Sequence, residues 1–114
     1  MKISDFAQLS PMHKLAWEDL LRQWNGEAPP IVVQAAIFGR CVLALPRESQ
    51  DKTFQMAEEM LIQQVDGTLS NAIATGFLEA IANRISRDSQ QAKELIARMP
   101  IKCREYMHIY LSLE

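Results

Sequence analysis

Two histidines, two cysteines and scattered carboxylates are the side chains of this 114-residue sequence with the means to do chemistry. His13 falls in the first turn of a helix opened by Ser10-Pro11, where a solvated imidazole is expected. His108 lies between Met107 and Ile109, a setting for a packed or surface histidine. Neither stands at a recognised catalytic spacing from a cysteine, serine or carboxylate. Cys41 and Cys103 occupy apolar helical stretches without a CxxC or Cys/His pattern. Zinc needs three or four converging ligands, so no metal and no cofactor is expected. Glu58 and Glu59 are adjacent, which turns their side chains about 100° apart around a helix and prevents them from sharing a proton. No phosphate loop, dinucleotide fingerprint or HExxH motif occurs. The sequence therefore predicts a protein that is not an enzyme. A carboxylate pair that converges only in space would escape this reading.

Charge excludes further classes. The formal net charge is −2, whereas general nucleic-acid binders carry a basic excess. The sign changes along the chain. From Glu48 to Glu79, Glu48, Asp51, Glu58, Glu59, Asp66 and Glu79 face a single Lys52. From Arg84 to Arg104, six basic residues face only Asp88 and Glu94. An acidic middle and a basic C-terminal part either steer an oppositely charged partner or dock on each other within the fold.

The elements that must position these residues are helical. Pro11 suits the first position of a helix that Asn25-Gly26 ends, and Leu15, Trp17, Leu20, Leu21 and Trp24 follow its repeat. A second, largely apolar helix runs from about Pro30 and stops at Pro46; with Gln34 and Arg40 inside it, it is too short and too polar to span a bilayer. Ser49 or Asp51 is expected to cap a third helix with a stripe of Phe54, Ala57, Leu61 and Val65. A fourth, from Thr68 to about Ile85, carries Leu69, Ile73, Gly76, Phe77 and Ile81. Ser86 or Asp88 is expected to cap a fifth, with Ala92, Leu95, Ile96 and Met99. After Pro100 a last piece carries Ile101, Tyr106, Ile109, Tyr110 and Leu113. A short helical turn at Ile3–Leu9 precedes them all. The start, Met1-Lys2-Ile3-Ser4-Asp5, lacks the apolar run of an export signal. With the reduced cysteines, this predicts a cytoplasmic chain that binds no membrane. The fold expected is all-α: one domain over residues 1–114, a compact bundle of five to six helices. Ala35–Gly39 matches Ala72–Gly76, and residues 57–61 match 92–96, at offsets of about one helical pair. Stacked α–α pairs of HEAT type are therefore the alternative architecture.

Three features within the helices invite a functional reading. Asn71, Thr75, Glu79 and Asn83 recur every four residues as a polar ridge, either a solvent face or a recognition strip. Gly76 is a mid-helix glycine, which costs about 1 kcal/mol relative to alanine and points to close packing, with Gly39 as its counterpart. Arg40, the charge in the apolar second helix, either snorkels to water or pairs with a carboxylate such as Glu79. Trp17 and Trp24, seven residues apart, share a face and read as core rather than as docking anchors.

The segment Asn71-Ala72-Ile73-Ala74-Thr75-Gly76-Phe77-Leu78-Glu79-Ala80-Ile81 resembles a pattern of small helical bacterial proteins encoded beside polymorphic or contact-dependent toxins, the immunity proteins. The resemblance covers about a tenth of the chain. It implies a binding protein that covers the active or substrate-binding face of a cognate toxin domain, a nuclease being the toxin that an acidic surface suits. Under it, Glu58, Glu59, Asp66 and Glu79 would be the contact charges, with Asn71 and Thr75 supplying hydrogen bonds. A regulatory or scaffold adaptor of helical-repeat type, gripping a peptide or helix through apolar residues, is the competing reading.

Overall fold

Four of the five prolines stand where helices begin. Pro11 is the first residue of α1 (Pro11–Gln23), while Pro30, Pro46 and Pro100 immediately precede α2 (Ile31–Val42), α3 (Arg47–Ile62) and α7 (Ile101–Tyr110). A proline there has a backbone angle suited to starting a helix, but no side chain to accept hydrogen bonds from the first turn. Between α3 and α7 lie α4 (Gly67–Ala72), a π turn (Ile73–Leu78), α5 (Glu79–Ala82) and α6 (Gln90–Ala97); a 3-10 turn (Ile3–Gln8) precedes α1. This is a computed structural model, and it describes residues 1–63 and 67–112. Among the described residues there is no strand, and no helix is long and apolar enough to cross a membrane. The fold is all-α, with seven α-helices among the described residues, close to the five or six expected.

Element ends follow local chemistry more closely than the sequence reading did. Asn25 and Gly26 adopt left-handed backbone angles, with φ of 54° and 83°. Gly26 N–H then bonds the Leu21 carbonyl at 2.7 Å, and Asn25 N–H the Arg22 carbonyl at 3.2 Å. This double bond pattern satisfies carbonyls that the end of α1 would orphan. The expected caps Ser49 and Asp51 lie inside α3, because Pro46 starts that helix earlier. For α6 the cap is Ser89, whose hydroxyl accepts from Ala92 N–H at 3.0 Å, in place of Ser86 or Asp88.

A close backbone approach joins α2 to the rod formed by residues 67–82. A methyl group at Gly76 would lie 2.5 Å from the Val32 carbonyl oxygen and 3.0 Å from Ala35 Cβ; one at Gly39 would collide with the Phe77 carbonyl oxygen. Each glycine thus presses against the backbone of the opposite helix, as expected from Gly76 in mid-helix. The two matching segments of the sequence therefore meet face to face. Their following helices do not stack likewise, since α3 packs on α7, α4 and the π turn.

An aromatic cluster fills the space beside this contact. Phe6 stacks on Phe77 with centroids 5.5 Å apart and lies 5.1 Å from Phe38; Trp17 stacks on Phe38 at 6.0 Å, and Phe54 meets Phe77 edge-on. Phe6, Phe38, Phe54 and Phe77 are all fully buried. The π turn contributes Ile73, Ala74, Gly76, Phe77 and Leu78 to the interior, and only Thr75 of its six residues is exposed. A π turn holds more residues than an α turn, which lets one element serve α2, α3 and α7 at once.

Two helices are rotated from the expected phase. In α1 the inward residues are His13, Trp17 and Leu20, whereas Leu15 is 59% exposed and Trp24, just beyond the helix end, is 42% exposed. In α7 Cys103 and Met107 are buried, with Tyr106 and Tyr110 half-buried, while Ile101 and Ile109 face outward. Apolar type alone misassigned these faces, because buried His13 and Cys103 have partners that no sequence window contains. Val65 and Leu113 lie outside the described residues.

The glycine contact makes a direct prediction. Gly76→Ala, and more so Gly76→Leu, should lower stability by about 1–3 kcal/mol through overpacking. Gly67→Ala, where a methyl group meets nothing within 4 Å, should be neutral or stabilising. Urea unfolding of the three variants checks both expectations.

Candidate functional site

The residues expected to meet a partner divide into two groups. Asn71, Thr75, Glu79 and Asn83 are all exposed, and they run along the outer side of the 67–82 rod. In an α-helix, residues four apart overshoot a full turn, so such a ridge would wind around the rod. The wider π turn removes part of that winding and keeps the ridge on one side. Thr75 is held by its own backbone, its hydroxyl donating to the Asn71 carbonyl at 2.7 Å. The Tyr110 hydroxyl donates to the Ala74 carbonyl at 2.6 Å, pinning the π turn to α7. Burial, with the Glu79 carboxylate and the Tyr106 ring system nearby, pushes the Tyr110 phenol up, so it keeps the proton this bond requires. Among the described residues neither Glu79 nor Glu59 forms an ion pair, and both are exposed.

Glu58 requires a correction. It is 9% exposed, and its carboxylate accepts from Lys102 N–H and Cys103 N–H, each at 3.0 Å. These are first-turn amides of α7, the ones Pro100 cannot satisfy. A carboxylate at a helix N-terminus gains from both hydrogen bonds and the helix dipole. Glu58 is thus an internal cap reaching from α3 to α7, not the exposed contact charge expected of it. Asp66 lies outside the described residues.

The acidic middle region is further reduced by docking within the fold. Asp51 accepts from Arg98 at 2.7 Å, and the same guanidinium donates to Gln50 Oε1 at 2.6 Å. Glu48 lies 3.6 Å from Lys52 on the exposed side of α3. Arg40 is half-buried, and among the described residues it makes no ion pair with Glu79.

One constellation went unseen in the sequence. His13 is fully buried, not solvated, with Nδ1 2.6 Å from Ser10 Oγ and Nε2 2.9 Å from Thr53 Oγ1. Thr53 donates its hydroxyl proton to the Ser49 carbonyl at 2.6 Å, so toward His13 it accepts. That assigns the proton to Nε2 and makes Nδ1 the acceptor of the Ser10 hydroxyl. The chain of donors is satisfied with a neutral ring, and burial lowers the imidazole pKa accordingly. A serine bonded to a histidine resembles a nucleophile and its base. Here, however, Ser10 also caps α1, accepting from His13 N–H at 3.3 Å, and the group ties α1 to α3. The signal available in the sequence was the Ser10-x-x-His13 spacing; Thr53, forty residues on, was not.

The cysteines are poor nucleophiles. Burial pushes both thiols up, and it does so most for the deeply buried Cys103, where the neighbouring Glu58 carboxylate adds to the shift. Among the described residues no group of three or more His, Cys, Asp or Glu side chains is placed to hold a metal. The features together define an all-helical module with an aromatic core and a polar ridge on a braced rod. The chain belongs to the family described as a domain of unknown function, DUF7674, whose model matches residues 4–112. No curated protein and no solved structure matches it.

Two outcomes are expected. Glu58→Ala leaves two buried amides without acceptors and should cost about 1–3 kcal/mol. Glu59→Ala should stay within about 0.5 kcal/mol of wild type, as thermal unfolding would report. For His13, the unfolded imidazole takes up a proton at the ordinary value of 6.5 while the folded one resists it. Its stabilising contribution is complete above that pH and declines as the pH falls through and below it. His13→Phe should flatten this part of the stability profile, measured by urea unfolding at about pH 7.5 and about pH 5.5.

Proposed function

We propose that this chain is a binding protein without catalytic activity, an immunity-type protein that neutralises a cognate bacterial toxin by covering its active or substrate-binding face. The observation that carries the proposal is the exposed ridge of Asn71, Thr75 and Glu79 on a rod whose Gly76 is pressed against the backbone of α2. Such short side chains, mounted on a backbone that is already held, lose little freedom on docking. Glu79 at the end of the rod and Glu59 on α3 each carry a negative charge that is not paired within the described residues. A nuclease toxin must present a basic surface to its substrate, and an acidic ridge would be drawn to it.

The test is to sequence the flanks of this gene for a toxin-like reading frame and co-express the chain with it, scored by growth and by a binding titration with the purified toxin domain. Wild type should restore growth and bind. Glu59→Lys combined with Glu79→Lys should fold normally, since exposed carboxylates contribute little to stability. Association should slow by about tenfold or more at low salt, with a weaker salt dependence. Equal association and equal protection by wild type and variant would remove the ridge from the interface. No effect of the wild-type chain on growth would remove the immunity reading.

A further inference from the structure

A groove that shares no lining residue with the ridge lies between the start of α3, the segment joining α5 to α6, and α6 itself. Its volume is about 1010 Å³. None of Glu58, Glu59, Asn71, Thr75 or Glu79 lines it, and neither does the His13 group. Three arginines do: Arg47, Arg84 and Arg98, against Glu94 as the acidic lining residue. In a chain of net charge −2 this is a local reversal of sign. Arg98 is held in place by Asp51 and Gln50. Arg47 and Arg84 are exposed and form no ion pair among the described residues.

We propose that this groove binds an acidic peptide segment, with carboxylates on Arg47 and Arg84 and an aliphatic side chain on the floor formed by Leu43, Ile85 and Leu95. Three properties choose this occupant. The planar guanidinium fork matches a carboxylate in two parallel hydrogen bonds. The floor is aliphatic and partly open, as Leu43 and Ile85 are only half-buried, so the ligand must offer apolar atoms as well as charge. No aromatic ring lines the groove, which leaves a nucleobase nothing to stack on and disfavours single-stranded nucleic acid. The volume is at the upper end for ligand sites, far more than one small anion fills. This surface is separate from the ridge and does not rest on the immunity reading.

The experiment uses the full chain and a fluorescently labelled peptide of alternating glutamate and leucine, followed by anisotropy. The acidic peptide should bind, and more weakly as salt rises. A serine–leucine peptide of equal length and a labelled oligothymidylate of equal charge should bind less tightly. Arg47→Glu combined with Arg84→Glu should weaken the acidic peptide by about tenfold or more with an unchanged thermal midpoint. Folding should survive, because Arg47 opens α3, where an acidic residue is favoured. Binding of the neutral peptide with equal affinity, tighter binding of the oligonucleotide, no binding of the acidic peptide, or unchanged binding by the double variant would each overturn the proposal.

Discussion

Backbone pressed against backbone at Gly39 and Gly76 is the constraint around which the other packing is arranged. With no Cβ on either residue, α2 and the 67–82 rod approach until the Val32 and Phe77 carbonyl oxygens occupy the space side chains would need. That proximity brings Phe38 and Phe77 to the same Phe6 ring. It also places the π turn where five of its six residues are buried. A wider contact would separate these rings and open space that no other side chain fills, which is costly in a densely packed interior. The exposed ridge is stiff for the same reason: the opposite side of its rod is fixed by α2.

A second layer of organisation comes from polar groups that must be satisfied once the core has formed. A proline at the N-cap position offers no capping side chain, so the first turn of α7 takes its acceptors from Glu58, on a helix far away in sequence. Burying Thr53 and His13 requires each to complete the other's hydrogen bonds, and together with Ser10 they lock α1 to α3. Every buried side-chain nitrogen and oxygen among the described residues has a partner. These bonds contribute modestly while made and cost more when broken. They therefore select this arrangement of helices over others that bury the same apolar surface.

The same demands sort the charges. Glu58 and Asp51 serve the fold, one as a cap and one as the partner of Arg98. Glu59 and Glu79 remain turned outward without ion pairs among the described residues, and Arg47 and Arg84 remain likewise around the groove. The chain thus keeps exposed, unpaired charges of both signs, the basic ones gathered around one groove. Internal pairing thins the apparent acidic block of the sequence to a few positions, and it is those positions whose charge is free to act at distance.

Local chemistry determined much of this protein from sequence alone. Proline and Asn-Gly marked helix ends because they act on neighbouring backbone angles, and Phe54, Ala57, Ile73, Phe77, Ile81, Leu95 and Ile96 fell on inward faces because helical period orders them. Gly76 announced a close contact because a mid-helix glycine otherwise only costs stability. The polar residues of the ridge were legible too, from their type and regular spacing, whereas the π turn that limits their winding was not. Tertiary structure alone decided the rest. Whether Glu58 was a surface charge or a cap depended on Pro100 arriving beside it, and whether His13 was wet or buried depended on Thr53. The faces of α1 and α7 turned on those pairings, against the simple apolar count that favoured Leu15, Ile101 and Ile109. The arginine groove gathers residues from three separate segments. Partners forty or more residues apart leave no periodic trace, because the requirement they meet, satisfying a buried donor or acceptor, exists only after the helices have packed.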